Sequence, residues 1–251
     1  VVENTIVDAG VTLTIASNAT IGFAGGTRLR VEGTLLVQGL ASAPVAFGAT
    51  NPAQKWQGIH AGAGGSVTLT RAQISDATTG FVADAGALES GLLYVTFEGV
   101  STPMLLHADT RVCRGTFTNG SGSSSADAGT ITVSDTDFSG GSGGDTLVFS
   151  GSAQISIDHA HFGTQWHCLL HGGGATTSVS IVDSQFDDAS YAFMVSGLGS
   201  MAAPAQIHNS SILVGSGGLA PTDGAATNVV DAENNYWGGT DGSFPNPPTG
   251  W

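Results

Sequence analysis

The chain has 251 residues, of which 38 are glycine and only 10% are charged. Many glycines and few charges are typical of an all-β protein with tight turns, and they argue against a helical or disordered chain. The sequence contains no run of about 18 apolar residues, so it predicts no membrane-spanning helix.

The charges are distributed unevenly along the chain. Six basic and eight acidic residues precede residue 115, which gives that part a net charge of −2. Twelve acidic residues and no basic ones follow, which gives the remainder −12. Nucleic-acid binding and attraction to anionic lipid both need Lys and Arg, so we expect no nucleic-acid partner and no membrane insertion.

The N-terminal segment 1–66 contains short alternating stretches that predict the opening coils of a repeat. Alternation with a period of two marks a half-buried strand. Phe23 and Phe47 end two such stretches and extend the series of large apolar repeat positions, the anchors described below, towards the N-terminus. The interval from Phe47 to Ile74 is slightly longer than the interval between them. We therefore assign residues 1–66 to N-terminal coils.

Residues 67–236 repeat one pattern, in which a large apolar residue, the anchor, closes each strand segment. In most units, apolar residues lie five and seven positions before the anchor, and a small residue lies two positions before it. The near-constant interval between anchors is typical of a solenoid. The anchors are Ile74, Phe97, Phe117, Phe138, Phe162, Phe186, Ile212 and Tyr236.

A second short strand follows most anchors, and glycine-rich turns separate the strands. A coil of this length cannot bury its apolar face alone and must stack on its neighbours. The sequence predicts one all-β parallel β-helix (solenoid) domain over 1–251, with about ten coils of roughly 20–27 residues and a C-terminal loop or cap at 237–251. A β-sandwich is the alternative, but sandwich strands do not normally share one pattern at this period.

Two segments carry a resemblance to a known superfamily. The run 10–47, followed by WQGI at 56–59, resembles the opening coils of secreted bacterial right-handed parallel β-helix proteins of the pectate-lyase-like type. The NNYWG at 234–238 is similar to the motif that often closes their last coils. The resemblance implies the right-handed form of the fold and an exported protein. The superfamily contains enzymes and non-enzymes, so it implies no single activity.

Residues at the same offset from the anchor form columns in stacked coils, and two columns bring acidic and histidine side chains together. The column three before the anchor contains Asp135, His159 and Asp183, and the column one before it contains Asp137 and His161. Carboxylates and imidazoles are general acids and bases, so these five are the candidate site if the protein is an enzyme. The alternative is structural, because Asp, Asn and His tolerate the left-handed backbone that a corner between strands needs.

The motifs of polysaccharide enzymes in this superfamily are mostly absent. By resemblance, uronate lyases need a basic residue to abstract a proton, and no Lys or Arg follows Arg114. Polygalacturonase-like hydrolases resemble the pair Asp187 and Asp188, but their Gly-His-Gly and Arg-x-Lys elements are missing. The catalytic hypothesis therefore depends on geometry alone.

We expect no metal and no cofactor. The segment 140–148 matches one calcium-binding nonapeptide, but such sites need tandem copies, so we interpret it as a glycine-rich turn before a strand. His159, His161, His167 and His171 are close in sequence but form no zinc motif.

The two cysteines are predicted to be reduced. Cys113 and Cys168 lie on coils two apart in the repeat. Two coils span about 10 Å, which exceeds the limit of about 7 Å between the Cα atoms of a disulfide.

We expect a non-catalytic extracellular β-helix module, secreted or at the cell surface, that serves as a surface, adhesion, glycan-binding or structural scaffold. Its partners would be polysaccharide or other surface components. An upstream domain or partner would cover the N-terminal end, because a bare solenoid end exposes apolar core and strand edges. The alternative is a polysaccharide-cleaving enzyme, a glycoside hydrolase or lyase, with its site on the outward Asp and His columns.

Overall fold

The computed structural model describes the backbone of residues 1–118, 123–140, 145–163, 167–171, 178–187, 191–195, 205–213, 219–221 and 230–238. Within these ranges, only the backbone is described at 139–140, 145, 167–171, 191–195 and 219–221.

Short strands of two to five residues make up most of the described chain. The first ten are β1 (Thr5–Val7), β2 (Thr12–Ala16), β3 (Thr20–Phe23), β4 (Leu29–Val31), β5 (Thr34–Gln38), β6 (Val45–Ala49), β7 (Ile59–Ala61), β8 (Ser66–Thr70), β9 (Ala72–Ser75) and β10 (Thr79–Ala83). The next ten are β11 (Ser90–Leu93), β12 (Thr96–Glu98), β13 (Thr102–Leu106), β14 (Thr110–Cys113), β15 (Thr116–Thr118), β16 (Ser124–Ala126), β17 (Thr130–Ser134), β18 (Asp137–Gly140), β19 (Asp145–Phe149) and β20 (Gln154–Asp158). The last ten are β21 (His161–Gly163), β22 (His167–His171), β23 (Ser178–Val182), β24 (Gln185–Asp187), β25 (Tyr191–Val195), β26 (Ala205–His208), β27 (Ser211–Leu213), β28 (Leu219–Pro221), β29 (Val230–Asp231) and β30 (Tyr236–Trp237).

These strands form three parallel sheets, and each sheet takes every third strand of the chain. The first sheet runs from β1 through β4 to β28, the second from β2 through β5 to β29, and the third from β3 through β6 to β30, with ten strands in each. The structure is a parallel β-solenoid, which confirms the predicted all-β fold class. Among the described residues, no helix is long and apolar enough to cross a membrane.

A column of stacked phenylalanines fills the core behind the third sheet. Neighbouring rings lie 4.5–4.9 Å apart between centroids, with interplanar angles of 5–17°. This separation matches the spacing of adjacent strands, so each coil adds one ring to the stack. All five rings are buried, as the anchor pattern predicts: Phe97, Phe117, Phe138, Phe162 and Phe186.

Two of the predicted anchors are wrong, one at each end of the series. Ile21, not Phe23, pairs with Phe47, and Phe23 instead stacks on the buried Trp56 with centroids 4.2 Å apart. Ile21 and Phe23 both point inward because strand side chains alternate with period two, so size alone selected the wrong one.

At the other end, Trp237 pairs with Ile212 and packs against the core, whereas Tyr236 is 53% exposed. Tyr236 and Trp237 are adjacent and both large, so the spacing alone could not choose between them. The last described coil is therefore offset by one residue from the predicted register.

Corners between the second and third sheets in the later coils are joined by side-chain hydrogen bonds. At Thr136, Ser184 and Ser210, the small buried residue two before the anchor accepts a backbone N–H from the preceding coil, and its hydroxyl donates to the carbonyl two residues before it at 2.8–3.0 Å. The accepted bonds run from Gly115 to Thr136 Oγ1 (3.3 Å), from Ala160 to Ser184 Oγ (3.2 Å), from Ser184 to Ser210 Oγ (3.1 Å) and from Ser210 to Asn235 Oδ1 (2.8 Å).

One corner of the same series carries a loop. The segment 39–44 separates β5 from β6, whereas Arg71 alone separates β8 from β9. Gly39 begins the loop, and a Cβ there would collide with the Arg71 carbonyl oxygen, so only glycine fits this approach. The loop lengthens the coil that contains Phe47 and forms a raised edge above the next corners.

Candidate functional site

The residues three before each anchor share a left-handed backbone. Asp135, His159 and Asp183 have φ values of 48°, 50° and 49°. Other members of the column have φ of 50–55°, namely Arg71, Tyr94, Arg114 and Asn209. This confirms the expected left-handed backbone at these positions, and the same backbone conformation recurs beneath very different side chains.

The corrected anchors extend the same rule. Asn18, three before Ile21, has φ of 65°, and Asn234, three before Trp237, has φ of 60°. Because of the one-residue offset that misplaced Tyr236, Asn234 occupies the column in place of Glu233, which lies three before Tyr236.

The structure divides the five predicted site residues into separate groups. His161 lies on the outer face of the third sheet, where its Nδ1 is 3.1 Å from Asp137 Oδ1 and its Nε2 is 3.1 Å from Asp187 Oδ2. Gln185 also donates from Nε2 to Asp187 Oδ2 at 2.6 Å. Asp187 was not placed in this cluster from the sequence, although it lies two residues after Gln185 and so shares its face.

The Asp137–His161–Asp187 cluster could in principle move protons. An imidazolium can donate from both ring nitrogens to the flanking carboxylates, whereas a neutral imidazole can donate from only one. The side chains are 45%, 40% and 30% exposed, respectively, so all three are in contact with solvent.

The corner residues make different contacts. His159 Nδ1 lies 2.6 Å from Asp158 Oδ1, and Asp135 pairs with Arg114 at 3.7 Å. Asp158, His159 and Asp183 each offer a ligand atom within 4.8 Å of the others. Groups of this kind are common on the surfaces of acidic proteins, and we assign no ion to this one.

A cavity lies at a different part of the solenoid, where the loop 39–44 overhangs the corners that follow. Its volume is about 340 Å³. The loop contributes one wall, the left-handed corner residues a second, and outward side chains of the third sheet the floor. The lining residues are Leu40, Ala41, Pro44, Arg71, Ala72, Gln73, Tyr94 and Thr96. We call this cavity the corner groove.

Two arginines hold the tyrosine of the corner groove in place. The guanidinium carbon of Arg71 lies 4.6 Å from the centroid of the Tyr94 ring, and that of Arg114 lies 5.2 Å from it. The Tyr94 hydroxyl is also hydrogen-bonded to Arg114. This hydrogen bond raises the pKa of Arg114, with a further contribution from nearby Asp135. The three side chains form one cationic stack along the column.

Arg71 has no acidic partner among the described residues, unlike Arg114 in the same column. The arginine ion pairs between described residues take up Arg30 and Arg114, and none involves Arg71. On the groove floor, Gln73 donates from Nε2 to Glu98 Oε2 at 2.7 Å. The corner groove was missed in the sequence, although Arg71, Tyr94 and Arg114 head the same column that supplied Asp135.

Several predictions concern residues outside the described part. The side chains of His167, His171 and Cys168 are not described, nor is Asp188 or the segment 141–144. Cys113 is half-buried and a free thiol, as expected.

Comparisons with known proteins add little to these observations. No protein-family model matches the sequence, and no curated protein matches it. One solved structure found in the search is an alginate lyase from Paenibacillus sp. str. FPU-7, with 11% identity over 90% of this chain and 99% of that chain. The TM-score is 0.23. At these values the likeness supports no conclusion about activity, and the function must be argued from the groove and the columns.

Proposed function

We propose that this chain is a non-catalytic β-solenoid module that binds polysaccharide in the corner groove. The lining combines apolar walls at Leu40 and Pro44 with the polar side chains of Arg71, Gln73 and Thr96. Concave sites with a few directed polar groups are typical of ligand binding. Arg and Gln side chains present several N–H donors, which suit the closely spaced oxygens of a sugar ring.

The composition of the groove supports binding rather than hydrolysis. None of its lining residues carries a carboxyl or imidazole group. Glycoside hydrolysis generally needs two carboxyl groups on either side of the scissile bond. This absence among the lining residues is the observation that carries the proposal of binding rather than hydrolysis in the groove.

The corner column supports the same proposal. Asp135, His159 and Asp183 occupy positions where the backbone is left-handed, and Arg71 and Tyr94 occupy equivalent positions. A requirement for backbone conformation therefore accounts for the column without invoking catalysis.

A second candidate function is polysaccharide cleavage at the third sheet. His161 lies between Asp137 and Asp187, so two carboxyl groups and an imidazole face solvent together. Among the described side chains, this cluster is the best candidate for an acid–base site.

We propose an extracellular location and a surface role, as the glycine- and threonine-rich, lysine-poor composition indicates. Polysaccharide or another surface component would be the partner.

A panel of neutral and acidic polysaccharides tests the proposed function by affinity electrophoresis of the purified chain. We expect retardation by at least one polysaccharide, and loss of retardation in Gln73→Trp, which fills the groove. Gln185→Trp is the matched control, because Gln185 lies in the same outward column and also donates to a carboxylate.

The same samples are assayed for new reducing ends and for unsaturated sugar products. We expect neither. Reducing ends that disappear in Asp137→Asn would replace the binding proposal with the second candidate. Retardation unchanged by Gln73→Trp would place the site elsewhere.

A further inference from the structure

We infer that the corner groove selects an acidic glycan, with the Arg71 guanidinium pairing with a carboxylate or sulfate of the bound chain. This inference rests on the proposed function and adds the class of ligand. The geometry around Arg71, the distribution of charge and the contrast with the ion-paired Arg30 and Arg114 each support it.

Arg71 is a cation at the wall of a cavity without an internal counter-ion. Arg30 Nε lies 2.9 Å from Glu32 Oε1, and Arg114 Nε lies 3.7 Å from Asp135 Oδ2. Within the described residues, Arg71 makes no such pair. A planar guanidinium presents paired N–H donors that match the two oxygens of a carboxylate or sulfate.

Backbone contacts fix the main chain at Arg71 from both sides. The Arg71 N–H donates to the Leu93 carbonyl at 2.8 Å, and its carbonyl accepts the Val45 N–H at 3.1 Å. The close approach of Gly39 to the same carbonyl locks the loop to the corner. The side chain of Arg71 therefore projects from a fixed point on the wall of the groove.

The Tyr94 ring restricts the side chain further. The guanidinium of Arg71 lies over the Tyr94 ring, and that of Arg114 contacts the same ring. Each of the three side chains therefore restricts the others. Cation–π contact leaves the in-plane N–H donors of a guanidinium available to a ligand. Tyr94 is therefore a positioning residue, and Arg71 is the residue that contacts the anion.

The charge of the whole solenoid gives the bound chain a direction. All six Lys and Arg residues precede residue 115, and the column becomes acidic from Asp135 onward. An acidic polymer that extended along the column past Asp135 would meet His159 and Asp183 in a part of net charge −12. Like charges repel, so the bound polymer extends from the groove away from the acidic coils.

Titration calorimetry at low ionic strength tests the inference with three probes: oligogalacturonate, dextran sulfate and neutral dextran. We expect one or both anionic probes to bind more tightly than dextran. Arg71→Gln should weaken anionic binding about tenfold, because a charge-assisted hydrogen bond is lost. Arg71→Lys should retain part of the affinity, since the charge remains but the planar fork does not.

The positioning role of Tyr94 is tested in the same titrations. Tyr94→Leu should weaken binding of the anionic probes relative to the unaltered chain. Tyr94→Phe should keep the affinity of the unaltered chain, because the ring that makes the cation–π contact is retained. Equal affinity of the two variants would show that the Tyr94 ring does not position Arg71.

Arg111→Gln is the matched control for Arg71→Gln. Arg111 is an exposed arginine of the second sheet, and its removal changes the net charge by the same amount as Arg71→Gln. We expect its affinity to match that of the unaltered chain. Thermal unfolding of each variant verifies that the fold is retained.

The outcomes separate the inference from the proposed function. If neutral dextran binds tightly and Arg71→Gln leaves that binding unchanged, the inference of an acidic ligand is wrong. The proposed glycan-binding function would still hold. Equal losses in Arg71→Gln and Arg111→Gln would also overturn it, because net charge alone would then explain binding. Binding of none of these probes, together with no retardation across the wider panel, would overturn both.

Discussion

The two halves of the corner column have the same backbone and opposite chemistry. Arg71, Tyr94 and Arg114 form a cationic stack beside the corner groove, whereas Asp135, His159 and Asp183 continue the column with acidic and imidazole groups. Their φ values all lie between 48° and 55°. The corner therefore constrains backbone conformation, and the side chain is free to vary with the function of each region.

The halves also differ beneath the surface. In the cationic coils the small corner residues are Ala72 and Gly115, which have no side-chain hydrogen-bonding group. In the acidic coils Thr136, Ser184 and Ser210 hydrogen-bond to adjacent coils. Except at Ala160, the acidic coils thus add side-chain hydrogen bonds at their corners, which we call the polar ladder, whereas Ala72 and Gly115 supply no side-chain group of this kind.

The largest expected effect is at the junction of the two regions, where Phe138 stacks between Phe117 and Phe162. Phe138→Ala should reduce the free energy of unfolding by about 3–5 kcal/mol through lost burial and cavity formation. Urea unfolding measures this loss. Leu88→Ala is the control, because Leu88 is 58% exposed and should change stability little. A loss below about 1 kcal/mol in Phe138→Ala would disprove the continuous stack.

The polar ladder of the acidic coils gives the next effect. Ser210→Ala should cost about 1–3 kcal/mol, because the buried N–H of Ser184 loses its acceptor. Ser211→Ala replaces a neighbouring serine that faces outward and serves as the control in the same urea titration. Equal stability of the two variants would mean that the ladder does not distinguish the acidic coils.

The left-handed corner predicts a smaller and more selective effect at His159. His159→Asn should change the free energy of unfolding by less than about 0.5 kcal/mol, because Asn tolerates φ near 50°. His159→Val should cost about 1–2 kcal/mol, since a β-branched residue is strained there. Thermal unfolding of both variants checks the order. The reverse order would show that the imidazole, not the backbone, is what the position requires.

The smallest effect concerns pH and the cationic coils. Burial lowers the pKa of His60, and the nearby Arg28 and Arg30 act in the same direction against a hydrogen bond with the Gln57 carbonyl that raises it. The unfolded chain therefore binds the proton more readily. The resulting contribution to stability is present above a pH of about 6.5, and it is lost as the pH falls toward the pKa of His60 in the folded protein.

Melting temperatures at pH 7 and pH 5 test this linkage. The unaltered chain should lose more stability on acidification than His60→Gln does, because only the former must protonate a half-buried imidazole. Parallel losses in the two proteins would remove His60 from the account of acid sensitivity.

The sequence was sufficient for the repeat but not for the groove. Regular spacing of Phe97 through Phe186 predicted a buried column because each coil repeats the same pleated strand. The spacing failed at both ends of the series. Phe23 was chosen over Ile21, which also points inward, and Tyr236 was chosen over the adjacent Trp237. The left-handed corners at Asp135 and His159 followed from residue type and offset.

The corner groove could not be predicted because it depends on the path of an irregular loop. Residues 39–44 appear in the sequence only as a few extra positions before Phe47, and their overhang above Arg71 and Tyr94 is a tertiary feature. Asp187 was missed as a partner of His161 for a related reason. The contact joins different columns on adjacent coils, and columns taken singly do not reveal it.

Hydrogen–deuterium exchange compares the two regions most directly when the chain is saturated with whichever anionic probe, oligogalacturonate or dextran sulfate, binds more tightly. The account predicts slower exchange in the groove segments 39–45, 68–75 and 90–97, with no change at 132–140, 156–163 and 179–187. Amides that are protected on binding identify the occupied surface, whether the polysaccharide is only bound there or also cleaved. Protection confined to the acidic segments around His161, with unchanged exchange near Arg71, would contradict the assignment of the binding site to the cationic coils.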